Sequence, residues 1–150
     1  MKALVIRNAE ESDIQAIIAI QNESTAAAQW PESHYGKALN EPGRLILVAE
    51  QEQSEILAFL VASTSIKEWE LENIAVSPRI LRRGVGRALM TAFIDQAREA
   101  GATEIRQEIR ASNTAAQKLG LSVGFTHQGQ RPNYYRDPVE DALLFKHLLG

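Results

Sequence analysis

Three consecutive β-rich runs, Arg44 to Glu50, Glu55 to Ser63 and Glu68 to Val76, lead to Ser77-Pro78, where the hydrophobic period changes from that of a strand to that of a helix. The first two runs are separated by the polar Gln51 to Ser54 and read as a hairpin. In the third, Trp69, Leu71, Asn73 and Ala75 alternate with Glu68, Glu70, Glu72 and Ile74, which predicts a strand with one acidic face over much of its length. Beyond the proline, Val85, Leu89, Phe93, Ile94 and Ala97 fall on one face of a helix that Gly101 terminates. The flanking segments complete the order. Ala3 to Asn8 reads as a strand, and Ser12 begins a helix with Asp13 in its first turn and a buried stripe at Ile14, Ile17, Ile18 and Gln21. A shorter helix starts with Pro31 at its first position and ends at Asn40, Pro42 and Gly43. Thr103 to Arg110 is a strand, a helix opens at Ser112 or Asn113 and stops near Gly124, and Phe125 to Gly129 and Ala142 to Leu149 are the last strands. The resulting order, β-α-α-β-β-β-α-β-α-β-β, predicts an α+β (mixed α/β) fold, a central, mostly antiparallel sheet with helices on both faces.

Composition narrows the chemistry. The 150 residues include no cysteine, which excludes disulfides, zinc-thiolate sites and iron–sulfur clusters and suits a cytoplasmic location. No linker or repeat divides the sequence, so residues 1–150 read as a single domain. The longest apolar stretches, such as Ile56 to Ala62, are far short of the roughly 18 residues of a membrane span, and no signal peptide is visible. His34, His127 and His147 lack metal-ligand spacing, and Ser63, Ser65 and Ser77 lack a nucleophile-elbow context, so neither a metal site nor a serine hydrolase is expected. A pI of about 5.6 argues against direct nucleic-acid binding. The net charge of −3 is uneven: residues 1–78 carry 5 basic and 12 acidic side chains, and residues 79–150 carry 11 and 7. Four of those arginines, Arg79, Arg82, Arg83 and Arg87, lie within nine residues.

They surround the run Arg82-Arg83-Gly84-Val85-Gly86-Arg87 at the start of the long helix. Paired glycines let backbone N–H groups converge on an anion, and the helix dipole adds positive potential there. A Rossmann or P-loop signature is excluded, because no third glycine follows at the required spacing and no Gly-Lys-Ser/Thr occurs.

The run Asn73 to Pro78 followed by Arg82 to Leu89 resembles the acetyl-coenzyme A motif of the GNAT N-acetyltransferase superfamily. Glu108 to Ala116, Gly124-Phe125, and Arg131 to Tyr135 with Glu140-Asp141-Ala142 resemble the RimI-like branch, the ribosomal-protein-alanine N-acetyltransferases. The resemblance covers about Asn73 to Leu149. Earlier residues match in element order alone. It implies acetyl transfer from acetyl-CoA to an amine, usually the α-amino group of a protein, with no metal. Ile74, Ala75 and Val76 would pair with the pantetheine, Val76 N–H would face the thioester oxygen, and Arg82, Arg83, Gly84, Val85, Gly86 and Arg87 would wrap the pyrophosphate. Asn113 would contact the cofactor, although it also reads as a helix N-cap. Glu108 matches the general-base position, whereas by residue type alone it reads as an outward carboxylate paired with Arg106 or Arg110. Tyr134 and Tyr135 match a substrate-holding loop and equally read as a loop packed on the sheet edge. Trp30 and Tyr35 could border the same pocket, with core packing the preferred reading for Trp30.

Two departures accompany the resemblance. Leu81 stands where the family commonly has Gln or Arg, and Gly120 stands where the branch commonly places the tyrosine that protonates the leaving thiolate. The expected acceptor is a protein or peptide N-terminus, such as that of a ribosomal protein, met by Glu68, Glu70 and Glu72. Direct attack in a ternary complex follows from the lack of cysteine. Rival readings are a small-amine acetyltransferase and a CoA-binding module without turnover. A monomer or weak homodimer is the expected assembly.

Overall fold

The computed structural model describes residues 3–24, 26–52, 55–80 and 84–150. Seven strands form one sheet: β1 (Leu4–Asn8), β2 (Arg44–Gln51), β3 (Glu55–Ser63), β4 (Glu68–Val76), β5 (Glu104–Arg110), β6 (Thr126–Tyr135) and β7 (Glu140–Leu148). They are interleaved with α1 (Ile14–Glu23), α2 (Glu32–Leu39), α3 (Val85–Glu99) and α4 (Thr114–Ser122), in the element order read from the sequence. The spatial order is β1-β2-β3-β4-β5-β7-β6, and β4–β5 is the one parallel pair.

Each sheet face is covered by a separate apolar layer. On one face Leu89, Phe93 and Ala97 of α3 pack on Leu60, Trp69 and Ile105. On the other, Ile17 and Ile20 of α1 and Tyr35 of α2 pack on Val48, Phe59 and Val61. Fully burying a side chain such as Phe59 or Phe93 stabilises the fold by roughly 1.5–3 kcal/mol. Helix α3 stops where Gly101 adopts φ 87°, a conformation that costs glycine little, and the Ala102 N–H bonds the Ala97 carbonyl at 3.0 Å.

The sheet departs from the alternation in β4. Val61 pairs with Asn73 and Ala62 with Leu71, so Glu72 is an extra residue, a β-bulge. Trp69 and Leu71 therefore face α3, whereas Asn73 and Ala75 face α1 and α2. Past the bulge, Ile74 and Val76 turn toward α3 and α4. The single continuous face expected for this strand is thus split, because one inserted residue reverses a period of two.

Smaller differences have similar local causes. The buried stripe of α1 is Ile14, Ile17, Ile20 and Gln21, with Ile18 only half-buried, because the helix meets the sheet on one side and α2 on the other. Pro31 precedes α2 in extended backbone instead of opening it. Strand β7 begins at Glu140, two residues before the expected start. Strand β6 runs on to Tyr135, past the expected end at Gly129, so Tyr134 and Tyr135, expected in a loop, lie in strand. Pro132 is tolerated because β6 is the sheet edge, and the register is irregular between Arg131 and Tyr135.

Candidate active site

Parallel pairing of β4 with β5 ends at Leu71–Gln107. Beyond that point β4 lines a cleft of about 630 Å³, bounded by Ile74, Val76, Ile80, Gly86, Ala116 and Leu119. The Ser77 N–H donates to Leu57 O at 2.8 Å, toward β3. Strand alternation therefore turns the N–H groups of Ile74 and Val76 the opposite way, into the cleft. An extended ligand can bond that unpaired edge as an added strand would.

The cleft ends at the first turn of α3. Gly84 caps this helix in the left-handed region, φ 77°, where a side chain would be strained. At Gly86 an added Cβ would lie 3.2 Å from Val76 Cγ2 and 3.3 Å from Leu119 Cδ2, so glycine is what lets α3 close on β4 and α4. Amide groups of this turn have no intrahelical partner, which makes it an anion-binding terminus. Arg87 lines the same end, while Leu81, Arg82 and Arg83 lie outside the described residues.

Asn113 has both roles offered for it within reach. Its Oδ1 accepts the Ala116 N–H at 3.1 Å, capping α4, while its Nδ2 donates to Ala26 O at 3.3 Å, and the residue lines the cleft. The bond to Ala26 ties the segment after α1 across the mouth of the cleft.

A second chamber, about 130 Å³, opens from the first at Ile74, Asn113 and Ala116. Glu108, Gln107 and Tyr135 line it. Glu108 pairs with neither arginine expected for it: Arg106 is held by Glu104 at 2.6 Å and Glu68 at 3.3 Å, and Arg110 by Glu140 at 3.1 Å. Instead Glu108 Oε1 faces Arg131 at 3.6 Å. Hydrogen bonding to Glu108, reinforced by its charge, raises the Tyr134 phenol above its ordinary value. Burial, then the same charge, pushes Tyr135 up to about 12. Both phenols thus stay protonated near neutral pH and can donate. Arg110 sits over the Tyr135 ring at 4.4 Å and Arg131 over Tyr134 at 5.4 Å, so the tandem tyrosines are braced side by side.

The three glutamates of β4 divide. Glu68 is paired with Arg106, and Glu72 with Arg44 at 2.8 Å. Glu70 makes no ion pair among the described residues, and burial, followed by repulsion from Glu108 and Glu72, raises its pKa. Trp30 and Tyr35 line neither cavity. Tyr35 is fully buried, with its hydroxyl bonded to Gln21 and to Asn73 Nδ2, and Trp30 packs on Tyr35, His34 and Arg44.

Gln107 was not singled out by sequence reading. The signal was present: a polar residue at the core phase of a strand, between Ile105 and Ile109. Its neighbour across the layer is Gly120, whose Cβ, if it had one, would lie 3.6 Å from Gln107 Oε1.

A sheet opened between two parallel strands, a glycine-built helix start at one end and a carboxylate chamber at the other define an acyltransferase of the GNAT kind. Residues 13–125 match the acetyltransferase (GNAT) family, and the chain belongs to that family and is an enzyme of it. It is 35% identical over 135 residues to the [ribosomal protein bS18]-alanine N-acetyltransferase of Haemophilus ducreyi, covering 89% of this chain and 90% of that one. The crystal structure of the ribosomal-protein-S18-alanine N-acetyltransferase from Escherichia coli superposes with a TM-score of 0.88 at 31% identity, over 99% of this chain and 95% of that chain. A GNAT superfamily phosphinothricin acetyltransferase from Sinorhizobium meliloti, in complex with acetyl-CoA, shares the fold with a TM-score of 0.83 at 20% identity, over 98% of this chain and 89% of its own. Among the described residues no helix is long and apolar enough to cross a membrane.

Proposed function

We propose that residues 1–150 act as one N-acetyltransferase domain that moves an acetyl group from acetyl-CoA to the α-amino group of a protein beginning with alanine, of the ribosomal bS18 kind. The junction of the two cavities carries this reading. An apolar slot with an amide-rich end suits a pantetheine with its pyrophosphate, and it meets a carboxylate-and-phenol chamber suited to a peptide amine. The residues fit acetyl-CoA on two counts: the β4 edge offers the unpaired N–H groups of Ile74 and Val76, and Gly86 keeps the helix end open where a Cβ would press on Val76. Ala75 holds the strand between them by packing into the opposite core layer. Val85 seats the α3 start in the first core layer, Arg87 lines the phosphate end, and Asn113 borders the thioester arm.

Acetyl-CoA supplies the activated acyl group. The chain does the rest. An α-ammonium must lose a proton before it attacks, and Glu108 takes that proton directly or through one water. The Val76 N–H donates to the thioester oxygen as negative charge develops there. Tyr134 and Tyr135 hold the first peptide groups, and Arg131 lies opposite Glu108 at 3.6 Å. With no cysteine an acyl-cysteine intermediate is excluded, and direct attack is the simpler scheme.

Mass spectrometry of synthetic N-terminal peptides incubated with the enzyme and acetyl-CoA tests the reading. Acetylation of the α-amine of peptides with Ala first, ahead of peptides with a bulky first residue, is expected. Preference for polyamines or free amino acids over every peptide would transfer the assignment to a small amine.

A further inference from the structure

The tyrosine commonly used in this branch to protonate the departing thiolate is replaced by Gly120, which faces the carboxamide oxygen of Gln107 and the Cβ of Phe125, each 3.6 Å from the place its own Cβ would take. Gln107 is 6% exposed, sits in the core phase of β5 and extends toward α4. Its Oε1 is sealed without a hydrogen-bond partner, 3.6 Å from the position a Cβ on Gly120 would take. An unsatisfied buried amide oxygen costs about 1–3 kcal/mol, and leucine would fill an apolar-neighbour position such as this without that cost. A glutamine kept at such an expense needs a use for the rest of its head group. Gln107 also lines the smaller chamber, where Glu108 lies, and its parallel partner Leu71 marks the point at which β4 and β5 separate.

We propose that Gln107 supplies from β5 the donor that a side chain on α4 no longer supplies, its Nε2–H bonding the sulfur of the departing CoA. This rests on the acetyl-transfer reading above. In the step, the amine nitrogen forms a bond to the acetyl carbon and the carbon–sulfur bond breaks with its electron pair left on sulfur. The proton that nitrogen sheds as this bond forms goes to Glu108, which has by then passed the ammonium's first proton to solvent. A carboxamide cannot surrender its own proton, so Gln107 stabilises the thiolate by hydrogen bonding and the sulfur is protonated from solvent. That is sufficient chemically, because a thiol of pKa near 8.5 is a good leaving group as its anion. Gly120 and Gln107 thus act as a pair across the layer between α4 and β5, the buried amide standing in for the missing phenol.

Two variants test this, Gln107→Leu, which removes the amide, and Gln107→Glu, which keeps the acceptor oxygens and removes the donor. CoA release with an Ala-first peptide is measured beside the Tm of each. A hydrogen bond to a charged group is worth enough to lower kcat about tenfold or more in both variants. The KM for acetyl-CoA stays within twofold, and the Tm of Gln107→Leu is no lower than that of the parent. Parental kcat in either variant overturns the proposal, as does a loss of kcat in Gln107→Leu that comes with a lowered Tm, which marks packing instead of donation. If the parent itself releases no CoA with any peptide or amine, it is the acetyl-transfer reading that fails, and the proposal falls with it.

Discussion

Glu108 illustrates how a single residue changes meaning with its neighbours. On β5 the nearest arginines in sequence, Arg106 and Arg110, are each engaged by other carboxylates, which leaves Glu108 facing the chamber and Arg131. Replacing it with glutamine keeps the shape and removes the base. Glu108→Gln is expected to lower kcat/KM for an Ala-first peptide by about 10²–10⁴-fold, and unchanged kcat/KM with an unchanged pH profile would exclude Glu108 as the base. Gly84 read from sequence only as part of a glycine-built anion turn, whereas Asn113 was readable as a helix cap, because capping is set within a few residues. Gln107 was not, since its importance depends on Gly120, thirteen positions away and on another element.

Elements carry the next set of constraints. Arg7 of β1 bonds Asp13 at 2.8 Å and Glu50 of β2 at 2.9 Å, while Asp13 Oδ2 also accepts the Glu10 N–H at 2.7 Å, locking the corner from β1 into α1. Hydrogen bonding to Arg7 holds Asp13 below its ordinary 3.8. A depressed folded pKa means that the contribution is complete above the unfolded value and is lost as pH falls through the folded one. Asp13→Asn is therefore expected to cost about 2 kcal/mol at neutral pH and to flatten stability against pH below pH 4, measured by denaturant titration. At the other helix start, Gly86→Val places branched carbons against Val76 and Leu119. Overpacking of this kind costs 1–3 kcal/mol, so the KM for acetyl-CoA should rise about tenfold with a smaller change in kcat. An unchanged KM would show that α3 can retreat from β4 without harm to the cofactor end of the cleft. The alternation in β4 gave its buried residues correctly, yet which layer each one enters was decided by the bulge at Glu72.

At the scale of the whole molecule the charge asymmetry acquires a location. The acidic first part includes Glu68, Glu70 and Glu72, of which pairing with Arg106 and Arg44 neutralises two; Glu70 makes no ion pair among the described residues and is the one we propose meets a cationic peptide. Glu70→Gln should raise the KM for a peptide with a basic residue near its N-terminus several-fold at low salt, and the difference should shrink toward 0.5 M salt, where screening lengths fall to a few ångströms. An effect independent of salt would place Glu70 in packing and not in attraction. Element order, the mixed sheet, the Asn113 cap at the cleft and the glycine-built turn were all legible in the chain, because each depends on side-chain type and spacing over a few residues. Tyr134 and Tyr135 lie in strand and not in a loop, since an edge strand tolerates a proline, Pro132, that an interior strand would not. The opening of β4 from β5, the reversal of Ile74 and Val76 and the meeting of Gln107 with Gly120 were decided only in the tertiary structure. Register between distant strands sets all three, and a shift of one residue, invisible in any local pattern, exchanges the faces of a sheet.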